Sequence, residues 1–311
     1  METRTYKCLV TAAPDARAPG AAALINSHPK LTAVVCHDAA EARAELFSRT
    51  VHAVVLGASR NDPDPFLLAE AARQNASLAH IPLLVPANPA NPQIVRNCLT
   101  LGASLLPEIP GANAHPDDET AFTDQIVSRL RAIYHPASLL QTGAVLGNRL
   151  SGMTHSVEKL RYVLLIKLLG LKSYNIYKSY PDGDDMLAEL AATISELLAQ
   201  RGNHNTVLGH LSSDEFLIIT HDRRVESLCR TILNQGQRIF RKFYTPYELM
   251  QGYITVEDEH YSGNYYLAEV LIAGAEIPTQ WDSHPVYVLD ILKELLGKVE
   301  KDDSKFKIIT L

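Results

Sequence analysis

Between Val207 and Thr220 the chain runs Val-Leu-Gly-His-Leu-Ser-Ser-Asp-Glu-Phe-Leu-Ile-Ile-Thr. Two short apolar runs flank a polar bend, Ser212-Ser213-Asp214-Glu215-Phe216. Apolar runs of this length separated by turn residues pair as a hairpin. The pattern on either side fits one sheet with helices packed on it. Tyr162–Leu169 is a strongly apolar strand candidate. Asp184–Gln200 repeats apolar residues at Met186, Leu187, Leu190, Ala191, Ile194, Leu197 and Leu198, a helical spacing. Glu226–Phe243 and Pro285–Lys298 read as further helices, and Gly252–Val256, Tyr265–Ala273 and Lys305–Thr310 as further strands. These elements predict an α+β domain over 135–311.

The first 134 residues follow another rule. Strand candidates Lys7–Thr11, Ala33–Cys36, Ala53–Leu56, Pro82–Val85 and Ala103–Leu106 alternate with helix candidates. The helices are placed near Ala21–Ser27, Ala39–Phe47, Pro65–Arg73, Pro92–Leu101 and Glu119–Ile133. Five βα units predict a doubly wound parallel sheet. The boundary is placed at Tyr134-His-Pro-Ala-Ser138, because Pro136 disfavours helix at the residue before it.

Composition excludes several function classes. The 311 residues carry a net charge of -6 with no basic run, which leaves no nucleic-acid footprint. The longest apolar runs are too short to span a bilayer, and Met1–Tyr6 has no signal-peptide core. The four cysteines are far apart and read as reduced thiols, buried for Cys8 and Cys36. A cytoplasmic protein is expected, with any membrane contact made through a partner.

With its two glycines read as Ser212 and Ser213, the hairpin resembles the signature of the diguanylate cyclase (GGDEF) domains. Thr142-Gly143 with Leu146-Gly147-Asn148, Lys172-Ser173-Tyr174-Asn175, Gly183-Asp184 and Gly252-Tyr253-Ile254 also resemble segments of that family, in order, over 138–311. The resemblance implies a fold built to join two GTP molecules. Metal ions there bridge the triphosphate and activate the attacking hydroxyl. The family's first metal aspartate falls on Lys167 and the second aspartate of that strand on Leu169. A charged lysine cannot ligate magnesium. Glu215 or Asp214 remains in the hairpin, but one carboxylate makes a poor magnesium site. Glycine accepts φ > 0 and lets a phosphate approach the backbone, whereas Ser212 and Ser213 add side chains there. The resemblance therefore implies a degenerate cyclase with no magnesium site. We expect Lys167 to pair with Glu215 or Asp214; pairing of Lys167 with a phosphate is the other option. The guanine-binding positions, Asn175 and Asp184, are kept, and Lys298 lies where the family places a basic residue on the triphosphate. Plain structural roles also suit all three: Asn175 as a cap or turn, Asp184 as an N-terminal helix acid and Lys298 as a solvated helix lysine. The family's inhibitory Arg-x-x-Asp falls on Asn203-His204-Asn205-Thr206, which lacks both residues.

The order of elements over about 5–133 resembles a response-regulator receiver domain, supported by Val51–Leu56, His80–Val85 and Gly102-Ala103. A receiver phosphorylates an aspartate and neutralises about -1.5 to -2 added charges with metal and lysine. Here Gly57 takes the phosphoacceptor position, Pro86 the hydroxyl position and Ile109 the lysine position. Ala12, Ala13 and Pro14 follow the first strand and leave Asp15 alone as an acid. Asp62 and Asp64 lie in a turn sequence. This resemblance implies a pseudo-receiver.

Other constellations are weaker. His204, His210 and His221 lack metal-ligand spacing and read as surface or turn residues. Glu257-Asp-Glu-His260 reads as a polar hairpin loop, and the tyrosines suit either protein contacts or the core. The combined expectation is a non-enzymatic bacterial signalling scaffold of response-regulator type, acting on an unknown signalling protein or through a homodimer. The alternative is a regulator that binds GTP without turnover; the remote one is an active diguanylate cyclase.

Overall fold

This computed structural model describes residues 4–11, 17–47, 51–56, 64–74, 78, 80–87, 90–111, 114–143, 145–147, 150, 161–201, 206–257, 262–278, 285–302 and 304–311. The chain forms two compact units, Met1–Ile133 and Tyr134–Leu311.

In the first unit, β1 (Tyr6–Thr11), β2 (Leu31–Cys36), β3 (Ala53–Val55), β4 (Leu83–Pro86) and β5 (Ser104–Leu106) form one sheet in the order β2-β1-β3-β4-β5. Every neighbouring pair is parallel. The connecting helices are α1 (Arg17–Ser27), α2 (Ala39–Phe47), α3 (Asp64–Gln74) and α4 (Pro92–Leu101), and α5 (Pro116–Ile133) follows β5. Helix α1 packs on α5, while α2, α3 and α4 pack in series, as expected of a sheet wound on both faces. Leu9, Val54, Leu83 and Val85 are fully buried against Leu46, Ala69 and Ala72. One guanidinium ties the helix ends together: Arg73 donates to the carbonyls of Ile81, Leu101 and Gly102 at 3.0, 2.9 and 3.1 Å. Asn91 caps α4 by accepting from the Gln93 and Ile94 amides, and Gly102 ends it in the left-handed region.

In the second unit, β6 (Gln141–Thr142), β7 (Arg161–Leu169), β8 (Val207–His210), β9 (Glu215–Thr220), β12 (Glu269–Ile277) and β13 (Phe306–Thr310) form a mixed sheet ordered β13-β12-β7-β9-β8-β6. A separate antiparallel ribbon joins β10 (Tyr253–Glu257) to β11 (Ser262–Tyr266). Helices α6 (Leu171–Tyr177) and α7 (Tyr180–Gln200) follow β7. Helix α8 (Val225–Phe240) runs into a 3₁₀ turn at Arg241–Phe243, followed by α9 (Pro246–Gln251); α10 (Pro285–Val299) precedes β13.

Strand β7 is buried on both faces and alternates between two cores. Leu164, Ile166 and Leu168 pack with Leu187, Leu190, Leu228 and Ile232 of α7 and α8. Val163 and Leu165 pack with Val288, Leu292 and Leu295 of α10.

Two expectations are corrected here. The apolar run Tyr265–Ala273 is not one strand but two, because β11 ends at Tyr266 and β12 begins at Glu269 with β7 as its partner. The helix expected from Asp184 begins at Tyr180, where Ser179 accepts from the Asp182 amide at 3.2 Å.

All four cysteines are buried and free. Burial pushes the Cys8 and Cys229 thiols up to about 12, which makes them poor nucleophiles at neutral pH. Among the described residues, no helix is long and apolar enough to cross a membrane.

Candidate functional site

Lys167 and Leu169 lie in β7 at the odd positions, the parity of Val163 and Leu165. The antiparallel register sets Lys167 directly opposite Glu215 of β9. The Leu168 amide donates to the Asp214 carbonyl at 2.8 Å. Such a cross-strand position suits an ion pair, yet none forms: among the described residues no ion pair involves Lys167. The hairpin carboxylates have other donors. Ser212 Oγ donates to Glu215 Oε2 at 2.9 Å, and Ser213 Oγ to Asp214 Oδ1 at 3.3 Å. Ser212 and Ser213 thus each bond a hairpin carboxylate.

The bend is closed by the Leu211 amide, which donates to the Glu215 carbonyl at 2.8 Å. Among the described residues, φ is positive outside glycine only at Leu139 and Lys305, so Ser212 and Ser213 are unstrained. The backbone argument for glycine does not hold in this turn; side-chain bulk remains.

The residues present do not fit a magnesium ion. Lys167 brings a positive charge to the strand position, Leu169 brings no oxygen, and a serine already occupies part of Glu215. Among the described residues, no three His, Cys, Asp or Glu side chains converge to hold a metal.

Helices α6 and α7 set Asn175 against Gly183, the residue before Asp184. Helix α6 starts from Gly170, at φ +85, where an added Cβ would meet Ala268 Cα at 3.3 Å. Glycine alone relieves both restrictions. Asn175 lies on α6 against the buried Gly183 of α7, so close that a Cβ there would stand 1.7 Å from Asn175 Oδ1. That Oδ1 is buried without a hydrogen-bond partner. Asp184 is the next residue after Gly183 and is exposed. Lys298 is held elsewhere: it pairs with Glu294 at 2.7 Å on the exposed side of α10, and this holds the Glu294 carboxyl below its usual range.

Sequence reasoning missed a histidine pair on the other side of the hairpin. His210 ends β8 and is 1% exposed. Its ring stacks on His135 at 3.7 Å and lies 4.6 Å from the Phe216 ring. Ser138 Oγ hydrogen-bonds its Nδ1 at 2.8 Å, and its Nε2 is buried without a partner. Burial, then His135, pushes His210 down to about 4. His135 is also lowered by burial, against the pull of Asp184. His135 and Ser138 stand 75 and 72 residues before His210 in chain contacts that no local spacing reveals. The tyrosines divide: Tyr174 and Tyr244 are buried, while Tyr180 and Tyr266 are exposed.

In the first unit, Pro86 ends β4 opposite Leu106, and Ile109 follows β5, so neither offers a polar group where a phosphate would be read. Gly57, Ala12, Ala13, Pro14, Asp15 and Asp62 lie outside the described residues, as do the side chain of Asp64, Asn148, Asn203, His204 and Asn205 and the 258–260 part of the β10–β11 loop.

No family model matches the chain. No curated protein matches it either. Solved structures do resemble it. The GGDEF domain of DgcB from Caulobacter crescentus, solved with c-di-GMP, is 11% identical, with a TM-score of 0.42 over 58% of this chain and 95% of that one. The S helix-GGDEF-EAL region of Vibrio cholerae LapD, bound to c-di-GMP, is 18% identical, with a TM-score of 0.45 over 60% of this chain and 39% of that one. The diguanylate cyclase SiaD of Pseudomonas aeruginosa, in complex with its activator SiaC, is 13% identical, with a TM-score of 0.41 over 79% and 80%. At these scores the likenesses carry no functional argument.

Proposed function

We propose that this protein is a non-enzymatic signalling scaffold, a pseudo-receiver followed by a degenerate GGDEF domain, that acts through protein contacts. One observation carries this reading: Lys167 stands opposite Glu215 in the sheet, while Ser212 and Ser213 bond the hairpin carboxylates. A strand that must present carboxylates to a metal presents a lysine and a leucine instead. The parallel sheet of the first unit, with Pro86 and Ile109 at its strand ends, supports a module that docks without phosphorylation.

A second reading, a guanine-nucleotide sensor without turnover, is favoured by Asn175. Its buried Oδ1 has no partner, which costs about 1–3 kcal/mol. The N–H donors on a guanine edge would satisfy it once Asn175 turns away from Gly183, whose chain neighbour is Asp184. One experiment separates the readings. The full chain is titrated with GTP, with and without magnesium, by calorimetry, and the mixture is assayed for cyclic di-GMP. The scaffold reading expects no product and no saturable heat at millimolar GTP. Magnesium-independent heat, weakened roughly tenfold or more in Asp184→Ala, would establish the sensor. Cyclic di-GMP formation would overturn both.

A further inference from the structure

A pocket of about 640 Å³ opens where α8, α9 and the start of β12 meet. One wall is polar and basic, made by Asn234, Gln237, Arg238 and Arg241. Its apolar lining includes Phe240, Tyr244, Leu249 and Leu267. Among the described lining residues none is acidic.

Arg238 and Arg241 are three residues apart and so share a face of the helix end. Both are exposed, and among the described residues neither makes an ion pair. The adjacent Lys242, by contrast, is paired with Glu189. A basic residue at a helix C-terminus complements the dipole, which accounts for a cation there but not for two guanidinia on the wall of one pocket.

Exposed apolar side chains adjoin the lining in the chain. Tyr266 and Met250 are the two most exposed large apolar residues among those described, at 88% and 80%. They are the chain neighbours of the lining residues Leu267 and Leu249. Tyr247, on the same short helix as Met250, is 67% exposed. Tyrosine, methionine and arginine together are the composition of a protein interface.

The pocket is also preformed. Tyr244 Oη accepts from the Ala268 amide at 2.9 Å, which fixes one lining residue against another. A capping box between Thr245 and the buried Glu248 holds α9, and Tyr177 donates to the same carboxylate. Rigid sites lose little entropy on binding.

We propose that this pocket is a docking site for an acidic segment of another protein, whose apolar anchor enters between Tyr244 and Leu267 while its carboxylates meet Arg238 and Arg241. Charge complementarity selects this chemistry: the wall carries two arginines that make no ion pair among the described residues, and none of its lining residues is acidic. The inference rests on the scaffold reading and names the surface and partner chemistry that reading requires.

The test uses a random dodecapeptide library displayed on phage and selected on the immobilised full chain. Enriched peptides are expected to combine Asp or Glu with a large apolar residue. Synthetic peptides of the winning sequence should bind about tenfold or more weakly to Arg238→Glu/Arg241→Glu, and Met250→Asp should also weaken them. Both changes are at exposed positions, and an unchanged melting curve confirms the fold. Enrichment without acidic bias, or equal affinity for the double variant, would overturn the proposal. So would a concentration-dependent mass in sedimentation that Arg238→Glu/Arg241→Glu abolishes, which would assign the face to a second copy. Cyclic di-GMP production would remove the scaffold reading alone, and a failed selection would remove this surface alone.

Discussion

Acidification from pH 7 to pH 4 is expected to destabilise the second unit by about 3 kcal/mol through His210 alone. The folded ring titrates at about 4, while an unfolded histidine titrates near 6.5. Between these values the unfolded chain binds the proton and the folded chain does not. The contribution is therefore complete above about pH 6.5 and is lost as the pH falls towards 4. Burial is the main cause, followed by His135 stacked upon it; the nearby backbone of Ser213 and Ser212 pulls the other way without prevailing. Ser138 and Phe216 complete the surroundings and are neutral. His135, lowered by burial and opposed by Asp184, adds to the effect in the same direction. Urea unfolding at pH 7.5, 5.5 and 4.5 measures it. His210→Phe should flatten the pH dependence relative to wild type. Parallel curves for the two proteins would show that the pair does not carry it.

Truncating Phe216 to alanine should cost about 3–5 kcal/mol. This ring is fully buried and belongs to the same cluster as Leu164, Ile166 and Leu228. The surrounding helices and strands hold the cavity open, so both the transfer and cavity contributions apply. Phe216→Leu keeps most of the volume and should lose less than about 1.5 kcal/mol. A shift of the urea midpoint at constant slope is the expected form of the result. Because Phe216 lies 4.6 Å from His210, the double change with His210→Phe should be non-additive. A loss below about 1 kcal/mol for Phe216→Ala would mean that the core closes over the gap.

The strongly patterned elements were legible in the sequence. The five βα units, the hairpin and the long helices announce themselves through periodicity that burial then enforces. Short elements were not. Helix α6 has seven residues, too few for a helical period to show against Ser173, Asn175 and two tyrosines. Helix α9 left a readable signal: Thr245-Pro246-Tyr247-Glu248 is a capping box with proline at N1, and Gly252 closes the helix at φ +80. The junction of β11 and β12 was hidden because a change of partner interrupts an unbroken apolar run. Within the candidate site, the hairpin was legible in the sequence, but its side-chain bonding and the pairing of Lys298 with Glu294 were not. Lys167 and Glu215 do meet in register, as motif alignment implies, but the carboxylate is taken by a serine three residues away. The histidine stack depends on the placement of 134–142 beside β8, a long-range outcome beyond any local pattern.

The serine hydroxyls brace the hairpin from within. Replacing either serine by glycine would delete a donor to Asp214 or Glu215 and free a backbone that is now restrained, a loss of about 1 kcal/mol. The bend thereby works as a small self-contained clasp, whose carboxylates are partly satisfied before anything approaches from solvent.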